Sequence, residues 1–214
     1  MGIAEIRELI RDSGIRLKDE GLVAGTWGNI SHRAGPDRMA ITPSGVPYDE
    51  LTPEDVALVN VLDMSCEGPR KPSSEAGMHG AIYRAKKEVN AVIHCHSTYA
   101  GVVAAIGEEV PPYLEDMAQV IGPTIRVARH ALTGAPELAE GVLEALDGRY
   151  GALMQNHGAV CIGRDMKEAF AVCHILEKSC RVFVCVRLLG GGKALSVECA
   201  ESLREFYLNE YWRI

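Results

Sequence analysis

The sequence predicts a protein of the α/β class, in which helices pack against a sheet. Three observations support this prediction. Near the N-terminus, apolar residues recur at steps of three and four, as in a helix that buries one stripe. In the middle of the chain an apolar strand is followed directly by an apolar helix. Near residue 157 a tight-turn signal separates two short apolar strands, so strands and helices interleave along the chain.

Signals at the helix ends set the predicted boundaries. Serine or aspartate can cap a helix start, proline suits the first turn, and glycine ends a helix. The sequence Asp165-Met166-Lys167-Glu168 is predicted to form a capping box, and Gly190-Gly191-Gly192 ends the helix that it begins. The predicted helices cover residues 3–17, a short turn from 52, 75–87, 99–106, 136–146, 166–189 and about 198–210. The predicted strands cover residues 56–62, 89–96, 152–154 and 159–162.

Length and composition limit the class of protein. A chain of 214 residues is closer to one domain of about 150 residues than to two, so one domain over 1–214 is expected. The formal net charge is −7 and no basic run is longer than Lys86-Lys87, which argues against nucleic-acid binding. Five charged or polar side chains interrupt the apolar stretch 171–192, so no membrane span and no membrane partner are expected.

Cysteine usage indicates the compartment. The seven cysteines are irregularly spaced and odd in number, which does not fit a disulfide framework. The first residues are amphipathic and charged, unlike a signal peptide. We therefore expect a cytoplasmic protein with reduced thiols. Cys173, Cys180 and Cys185 are interpreted as small buried residues of the long helix, because nothing pairs them with a catalytic histidine.

His94-Cys95-His96 is the sharpest chemical feature. Alternation along a strand sends residues 94 and 96 to one face and Cys95 to the other. Two imidazoles at the end of a strand suit a metal at the rim of a sheet, although such a pair also occurs by chance. A third ligand is needed, and His157 in the Asn156-His157-Gly158 turn is the candidate, with simple turn capping as the alternative. Three histidines and an open fourth position are typical of catalytic zinc.

The remaining histidines fit a metal site less well. His32 and His130 are predicted in loops, and His79 and His174 in helices. Each is interpreted as a surface histidine or a satisfied core histidine.

The segment Ser73-Ser74-Glu75 lies at a predicted helix start. Ordinary capping is one interpretation, because serine hydroxyls and a carboxylate both suit the N-terminal end of a helix. An anion site is the other, since free backbone N–H groups and two hydroxyls can hold a phosphate. The loops 25–31 and 41–47 contain glycine but lack the Walker and dinucleotide patterns, so nucleotide binding is not supported.

Five motifs occur in one order along the chain: GTWGNIS at 25–31, ITPSGVPYDEL at 41–51, KPSSE at 71–75, HCH at 94–96 and QNHG at 155–158. In this order they resemble the class II sugar-phosphate aldolase family, which includes L-fuculose-1-phosphate aldolase and L-ribulose-5-phosphate 4-epimerase. The resemblance covers about residues 3–190. It implies a three-layer α/β/α sandwich around a mixed, mainly antiparallel central sheet, and a homotetramer.

The resemblance also implies the site residues. A divalent metal, usually Zn²⁺ with Co²⁺ or Mn²⁺ as alternatives, would be held by His94, His96 and His157. Glu75 would be the acid/base residue and could coordinate the metal when substrate is absent. The implied phosphate-binding residues are Gly28, Asn29, Ser44, Gly45, Ser73 and Ser74.

The implied reaction is cleavage of a ketose 1-phosphate, L-fuculose 1-phosphate or a deoxy- or methylthio-pentulose 1-phosphate, into dihydroxyacetone phosphate and an aldehyde through a metal-stabilised enediolate. Aldolases of the family have Glu after the two serines, whereas the epimerases tend to have Asp. This sequence has Glu75 at that position, which favours an aldolase. The alternatives are a pentulose-5-phosphate 4-epimerase, a methylthioribulose-1-phosphate dehydratase and a non-catalytic metal-binding protein. The family's tyrosine proton donor has no fixed counterpart here, and the candidates are Tyr113, Glu115, Tyr207 and Tyr211.

Overall fold

The computed structural model describes residues 1–211 and contains one eight-stranded sheet within that range. The strands are β1 Asn29–Arg33, β2 Arg38–Ile41, β3 Ala57–Asn60, β4 Cys66–Glu67, β5 Ala91–Cys95, β6 Val127–Ala128, β7 Gly151–Met154 and β8 Gly158–Gly163. Their order across the sheet is β4-β3-β2-β1-β5-β8-β7-β6. The β6–β7 pair is parallel and the other pairs are antiparallel. The expected mixed, mainly antiparallel sheet is confirmed.

Seven α-helices lie within residues 1–211. They are α1 Ile3–Asp19, α2 Ala76–Ala85, α3 Thr98–Ile106, α4 Glu115–Val120, α5 Pro136–Ala145, α6 Met166–Leu188 and α7 Val197–Asn209. On one face of the sheet α2 contacts β1 and packs beside α5. On the other face α6 packs on β5 and β8, with α1 and α3 beside it. The resulting three layers match the predicted α/β/α arrangement.

Buried polar residues make part of the sheet difficult to predict from the sequence. The sequence pattern predicts neither helix α4 nor the strands β1, β2, β4 and β6. In β1 the side chains of Ser31 and His32 interrupt the apolar pattern, yet both are buried. The prediction of His32 in a loop is wrong, because it lies in β1, where its Nδ1–H donates to the carbonyl of Arg33. Hydrogen bonding lets these residues occupy the middle of a sheet.

The start of α6 corrects a second prediction. Asp165 caps the helix as expected, since its carboxylate accepts a hydrogen bond from the N–H of Glu168 at 2.7 Å. The reciprocal half of the predicted capping box does not form as expected. The Glu168 carboxylate instead accepts from the N–H of Arg164 at 2.6 Å and pairs with the Arg164 side chain. The helix ends at Leu188, and Gly190 and Gly191 follow with positive φ.

All seven cysteines are free thiols, as expected. Cys173 and Cys180 are buried, but Cys185 is exposed, which corrects its interpretation as a buried residue. Between residues 1 and 211, no helix has the length and apolar character that a membrane span requires.

Candidate metal and phosphate site

Two imidazoles project from the end of β5. His94 is the penultimate residue of the strand and His96 is the first residue after it, and their Nε2 atoms are 2.8 Å apart. Cys95 lies between them and is buried on the other face of the sheet, where it neighbours Cys161 and Cys173. The predicted alternation therefore places both histidines on one side, as the sequence indicates.

The turn between β7 and β8 brings His157 to the same place. Antiparallel pairing of β5 with β8 sets Cys95 opposite Ala159, so the residues just before β8 lie beside the end of β5. The His157 ring lies 4.8 Å from the His94 ring and 5.3 Å from the His96 ring, centroid to centroid. A nitrogen from each of the three rings lies within 4.8 Å of the others. These three histidines form a group that could hold a metal ion.

Glycine is required at the base of this cluster. A Cβ on Gly158 would lie 2.5 Å from the carbonyl oxygen of Cys95 and 3.2 Å from Cε1 of His94. A Cβ on Gly28 would lie 2.8 Å from the carbonyl oxygen of His94, and Gly28 also has a φ of +76°. Glycine has no Cβ and tolerates positive φ, so both residues permit close backbone approach to the histidines.

The hydrogen bonding of His94 orients its ring so that Nε2 faces the other two histidines and could bind a cation. Its Nδ1 lies 2.9 Å from the carbonyl oxygen of Ala159, which can only accept, so Nδ1 carries the proton. In the neutral ring, the lone pair of Nε2 then points into the cluster. Metal-ligating histidines usually donate their other ring N–H in this way.

Burial keeps the neighbouring imidazoles in the form that binds a cation. Burial, together with His94 and His157, lowers the pKa of His96 to about 4. Burial and then His94 also lower the pKa of His157 below its ordinary value. Neutral imidazole is the ligand form, so protons do not compete for these two residues at neutral pH.

Glu75 lies at the N-terminus of α2 and is buried. Its side chain does not cap the helix, but the Ser73 hydroxyl accepts a hydrogen bond from the N–H of Glu75 at 3.2 Å, so the capping interpretation holds for Ser73 and not for Glu75. Oε2 accepts a hydrogen bond from Nδ2 of Asn29 at 2.7 Å and lies 3.2 Å from Nε2 of His94, while Oε1 lies 3.6 Å from Nε2 of His157. Burial acts to raise the pKa of Glu75, but His94, the Asn29 hydrogen bond and His157 together bring the pKa below its ordinary value. The carboxylate is therefore ionised at neutral pH.

This arrangement fits a cation by its own chemistry. The lone pair of His94 Nε2 and the carboxylate oxygen of Glu75 are two acceptors 3.2 Å apart in a buried place. Oε1 of Glu75 has no hydrogen-bond partner among residues 1–211. A buried acceptor without a donor is costly, and a bound cation would both satisfy Oε1 and compensate the close approach of the carboxylate to the lone pair of His94.

A cavity of about 180 Å³ adjoins the cluster. All six predicted phosphate-binding residues line it, and so do Glu75, His96 and His157. Two backbone contacts hold its loops together: the N–H of Ser44 donates to the carbonyl of Lys71 at 3.0 Å, and the N–H of Ser73 donates to that of Thr42 at 3.1 Å. The hydroxyls of Ser44 and Ser74 belong to exposed residues that face this space. The cavity thus joins serine hydroxyls to the histidine cluster.

Two residues of the cavity differ from expectation. Asn29, predicted to bind phosphate, lines the cavity and also donates a hydrogen bond from Nδ2 to Oε2 of Glu75. Trp27 is not among the predicted site residues, yet it lines the cavity, is 66 % exposed, and its ring lies 5.9 Å from the His96 ring. The GTWG motif is the only sequence signal for this position, and the approach of the tryptophan ring to His96 becomes visible only in the fold.

The four candidate proton donors lie elsewhere in the part of the chain that the structure describes. None is among the residues that line the cavity. Tyr113 is half-buried beside Gly192, Glu115 is exposed at the start of α4, and Tyr211 is exposed and stacks on Tyr207. The hydroxyl of Tyr207 is buried and donates to Oε1 of Glu168 at 2.9 Å.

Tyr207→Phe is expected to weaken folding rather than turnover. The substitution removes a buried hydrogen bond to a carboxylate, which is worth about 1.5–3 kcal/mol. The free energy of unfolding from denaturant titration should fall by about that amount, with kcat and KM close to those of the parent protein. A drop in kcat with unchanged unfolding free energy would instead return Tyr207 to the candidate donors.

Comparison with known proteins places this geometry in context. The family model described as the class II aldolase and adducin N-terminal domain matches residues 8–184. The 5-deoxy-D-ribulose 1-phosphate aldolase of Bacillus thuringiensis serovar kurstaki is 35% identical over 198 residues, which cover 92% of each chain. The L-fuculose phosphate aldolase of Escherichia coli K12 is 32% identical over 178 residues, covering 83% of this chain and 81% of the relative. A solved L-fuculose 1-phosphate aldolase superposes with a TM-score of 0.91 at 31% identity, over 95% of this chain and 96% of that one.

Proposed function

The chain belongs to the class II aldolase and adducin N-terminal domain family, and on this premise we propose that it is a zinc-dependent aldolase acting on a ketose 1-phosphate. The products would be dihydroxyacetone phosphate and an aldehyde. The observation that supports this most strongly is the meeting of three imidazoles with the buried carboxylate of Glu75, beside a cavity lined by serine hydroxyls. The relatives that match over most of the chain are ketose 1-phosphate aldolases by name.

His94, His96 and His157 would hold the metal. Three histidines leave a position open for substrate, as in catalytic zinc sites. A divalent cation there supplies Lewis-acid stabilisation of the negative charge that develops as the carbon–carbon bond breaks. Zn²⁺ is the proposed ion, because imidazole nitrogen suits it well, while Co²⁺ and Mn²⁺ are the alternatives.

Glu75 would exchange the proton of the reaction. In the direction of cleavage, the C4 hydroxyl would lose its proton as C4 becomes the carbonyl carbon of the aldehyde, and that proton would pass through water to the ionised carboxylate of Glu75. The C3–C4 bond breaks, its electron pair stays with the C1–C3 fragment, and this fragment then takes up a proton at C3. We assign this proton to Glu75, the carboxylate that lines the cavity beside His96 and His157. In the direction of synthesis, the ionised carboxylate would remove the same proton. Asn29 holds the carboxylate in place through its 2.7 Å hydrogen bond.

The phosphate would bind among the hydroxyls and backbone N–H groups of the three loops. The residues proposed for it are Gly28, Asn29, Ser44, Gly45, Ser73 and Ser74. The protein has a net charge of −7, so the local donors rather than the overall charge must attract the anion. A fixed phosphate would keep C3 near Glu75, and such positioning lowers the barrier.

Ser44→Ala and Ser74→Ala test the phosphate assignment. Each removes one hydroxyl donor to a charged group, worth about 1.5–3 kcal/mol, so KM for the ketose 1-phosphate should rise by about 10- to 100-fold. Steady-state kinetics measures this, with Ser65→Ala as a control, since Ser65 is an exposed serine bonded to Asp63. If KM in both variants equals that of the control, the phosphate lies elsewhere.

Substrate choice is tested with a panel. We propose a ketose 1-phosphate as substrate because the relatives act, by name, on 5-deoxyribulose 1-phosphate and fuculose phosphate. Dihydroxyacetone phosphate release is measured from 5-deoxyribulose, 5-methylthioribulose and L-fuculose 1-phosphates at equal concentration. Release from at least one is expected. If no ketose 1-phosphate of the panel gives dihydroxyacetone phosphate, two further reactions are tested. Epimerisation of a pentulose 5-phosphate at C4 would support the epimerase, and loss of water from methylthioribulose 1-phosphate would support the dehydratase.

A homotetramer and a cytoplasmic location are part of the proposal, and a single domain over residues 1–214 stays a prediction. Exposed leucines at the end of α6 support assembly: Leu188 is 81 % and Leu189 is 85 % exposed in the single chain. Light scattering should give about four times the 23.2 kDa mass of the chain. A mass of one chain would contradict the assembly.

A further inference from the structure

A row of buried polar contacts joins α2 to β1. Glu75, His79 and Tyr83 are spaced by four residues and therefore lie on one face of the helix. Asn29 and Ser31 are two apart on β1 and lie on one face of the sheet. We call these five residues the polar seam.

The contacts of the polar seam follow this spacing. Nδ2 of Asn29 lies 2.7 Å from Oε2 of Glu75. One turn further along, Oγ of Ser31 lies 2.6 Å from Nδ1 of His79 and 2.9 Å from the Tyr83 hydroxyl. All five residues are buried, and three of them, Ser31, His79 and Tyr83, have no exposed surface.

Such a row fixes the position of the helix. Apolar packing tolerates small shifts, but a buried polar group that loses its partner is strongly destabilising. A shift of α2 along β1 would break the His79 and Asn29 contacts together, because the pairs are in register. The seam therefore holds the first turn of α2, which carries Glu75.

His79 is the central member of the seam. The backbone N–H of His79 donates to the backbone carbonyl of Glu75 at 3.2 Å within the helix, and the imidazole ring of His79 contacts Ser31 on β1. Burial lowers the pKa of His79 to about 3, so the ring is neutral and can share a proton with the serine hydroxyl. The ring thus links the backbone that positions Glu75 to the strand that carries Asn29.

We infer that His79 is a positioning residue for Glu75: its Nδ1 contact with Ser31 keeps α2 in register on β1 and so keeps the Glu75 carboxylate against Asn29 and His94. This inference rests on the proposed role of Glu75. A misplacement of about 1 Å at a reacting group can cost about 100-fold in rate, so a modest slip of α2 suffices to impair turnover.

Two conservative variants separate the ring atoms. Asparagine at 79 places a polar atom where Nδ1 lies, whereas glutamine places one near Nε2. If the Ser31 contact positions Glu75, His79→Asn should keep most of the rate, and His79→Gln should lose about 10- to 100-fold in kcat with KM changed by less than about two-fold. Ser31→Ala removes the same contact from the strand side and should lower kcat by a similar factor. It therefore tests the contact even if His79→Gln folds poorly.

The measured reaction is exchange of the C3 hydrogen of dihydroxyacetone phosphate with deuterated water, followed by proton magnetic resonance on zinc-loaded protein. This half-reaction needs Glu75 but no aldehyde. Ser179→Ala is the control, because Ser179 is a buried serine of α6 that bonds only to the carbonyl of Ile175 among the contacts described. Thermal midpoint and metal content are recorded for every variant.

A lower kcat in His79→Gln and Ser31→Ala, recovery in His79→Asn, and no kcat loss in Ser179→Ala at a similar thermal midpoint would support the inference. Equal kcat in His79→Gln and Ser179→Ala would overturn it and leave His79 as a purely structural residue, as would equal losses in His79→Asn and His79→Gln. Absence of exchange in the unsubstituted protein would count against the proposed function instead.

Discussion

Glu75→Gln is expected to lower the rate of dihydroxyacetone phosphate release by about 10²- to 10⁴-fold, the usual contribution of a general acid or base. Glutamine keeps the shape of the side chain and can still accept the hydrogen bond from Asn29, but it cannot take up or return a proton. The three histidines are untouched, so the variant should still hold one metal ion per chain. Steady-state rates and metal analysis on the same sample measure both effects.

Glu8→Gln is the matched control for this change. Glu8 is exposed on α1 and does not line the cavity of the histidine cluster, so the same loss of charge occurs away from the reaction. Its rate should equal that of the parent protein. If Glu75→Gln retains full activity with metal bound, Glu75 has no part in the proton transfer.

His94→Ala is expected to abolish both metal binding and activity. His94 is fully buried and its ring is fixed by the carbonyl of Ala159, and alanine leaves no ligand atom at this position. Loss of Lewis-acid stabilisation removes several kcal/mol, which corresponds to about 10³-fold or more in rate. Metal content by mass spectrometry should fall from one ion per chain to well below that value.

His174→Ala provides the comparison for His94→Ala. His174 is exposed on α6 and pairs with Glu20 at 2.9 Å, remote from the cluster. This variant should keep both metal and activity. A His94→Ala protein that binds one metal ion per chain as tightly as His174→Ala would exclude the proposed ligand set.

Local sequence patterns predicted the clustering of the three histidines because most of its geometry is local. Strand alternation orients His94 and His96, and the turn residues Asn156 and Gly158 place His157. Asn156 has a φ of +56°, which suits a tight turn, and Gly158 permits the close approach of β5. Only the meeting of the two segments, through pairing of β5 with β8, required the fold.

The missed features depend on contacts between distant segments. β1 has no clear alternation, because Ser31 is satisfied by His79, 48 residues away. The partner of His79 is equally distant, so the sequence around His79 is that of an ordinary helical histidine. The donor role of Asn29 toward Glu75 likewise spans 46 residues. A single sequence contains the spacing of these residues but not the packing of α2 on β1 that joins them.

The most direct test of metal-dependent aldolase activity measures metal content and dihydroxyacetone phosphate release on the same sample. The protein is treated with a chelator, assayed on 5-deoxyribulose 1-phosphate and L-fuculose 1-phosphate, and then reloaded with Zn²⁺. Release from at least one substrate should disappear with the metal and return in proportion to the zinc bound, up to one ion per chain. Release that persists in protein shown to be free of metal would contradict metal-dependent activity.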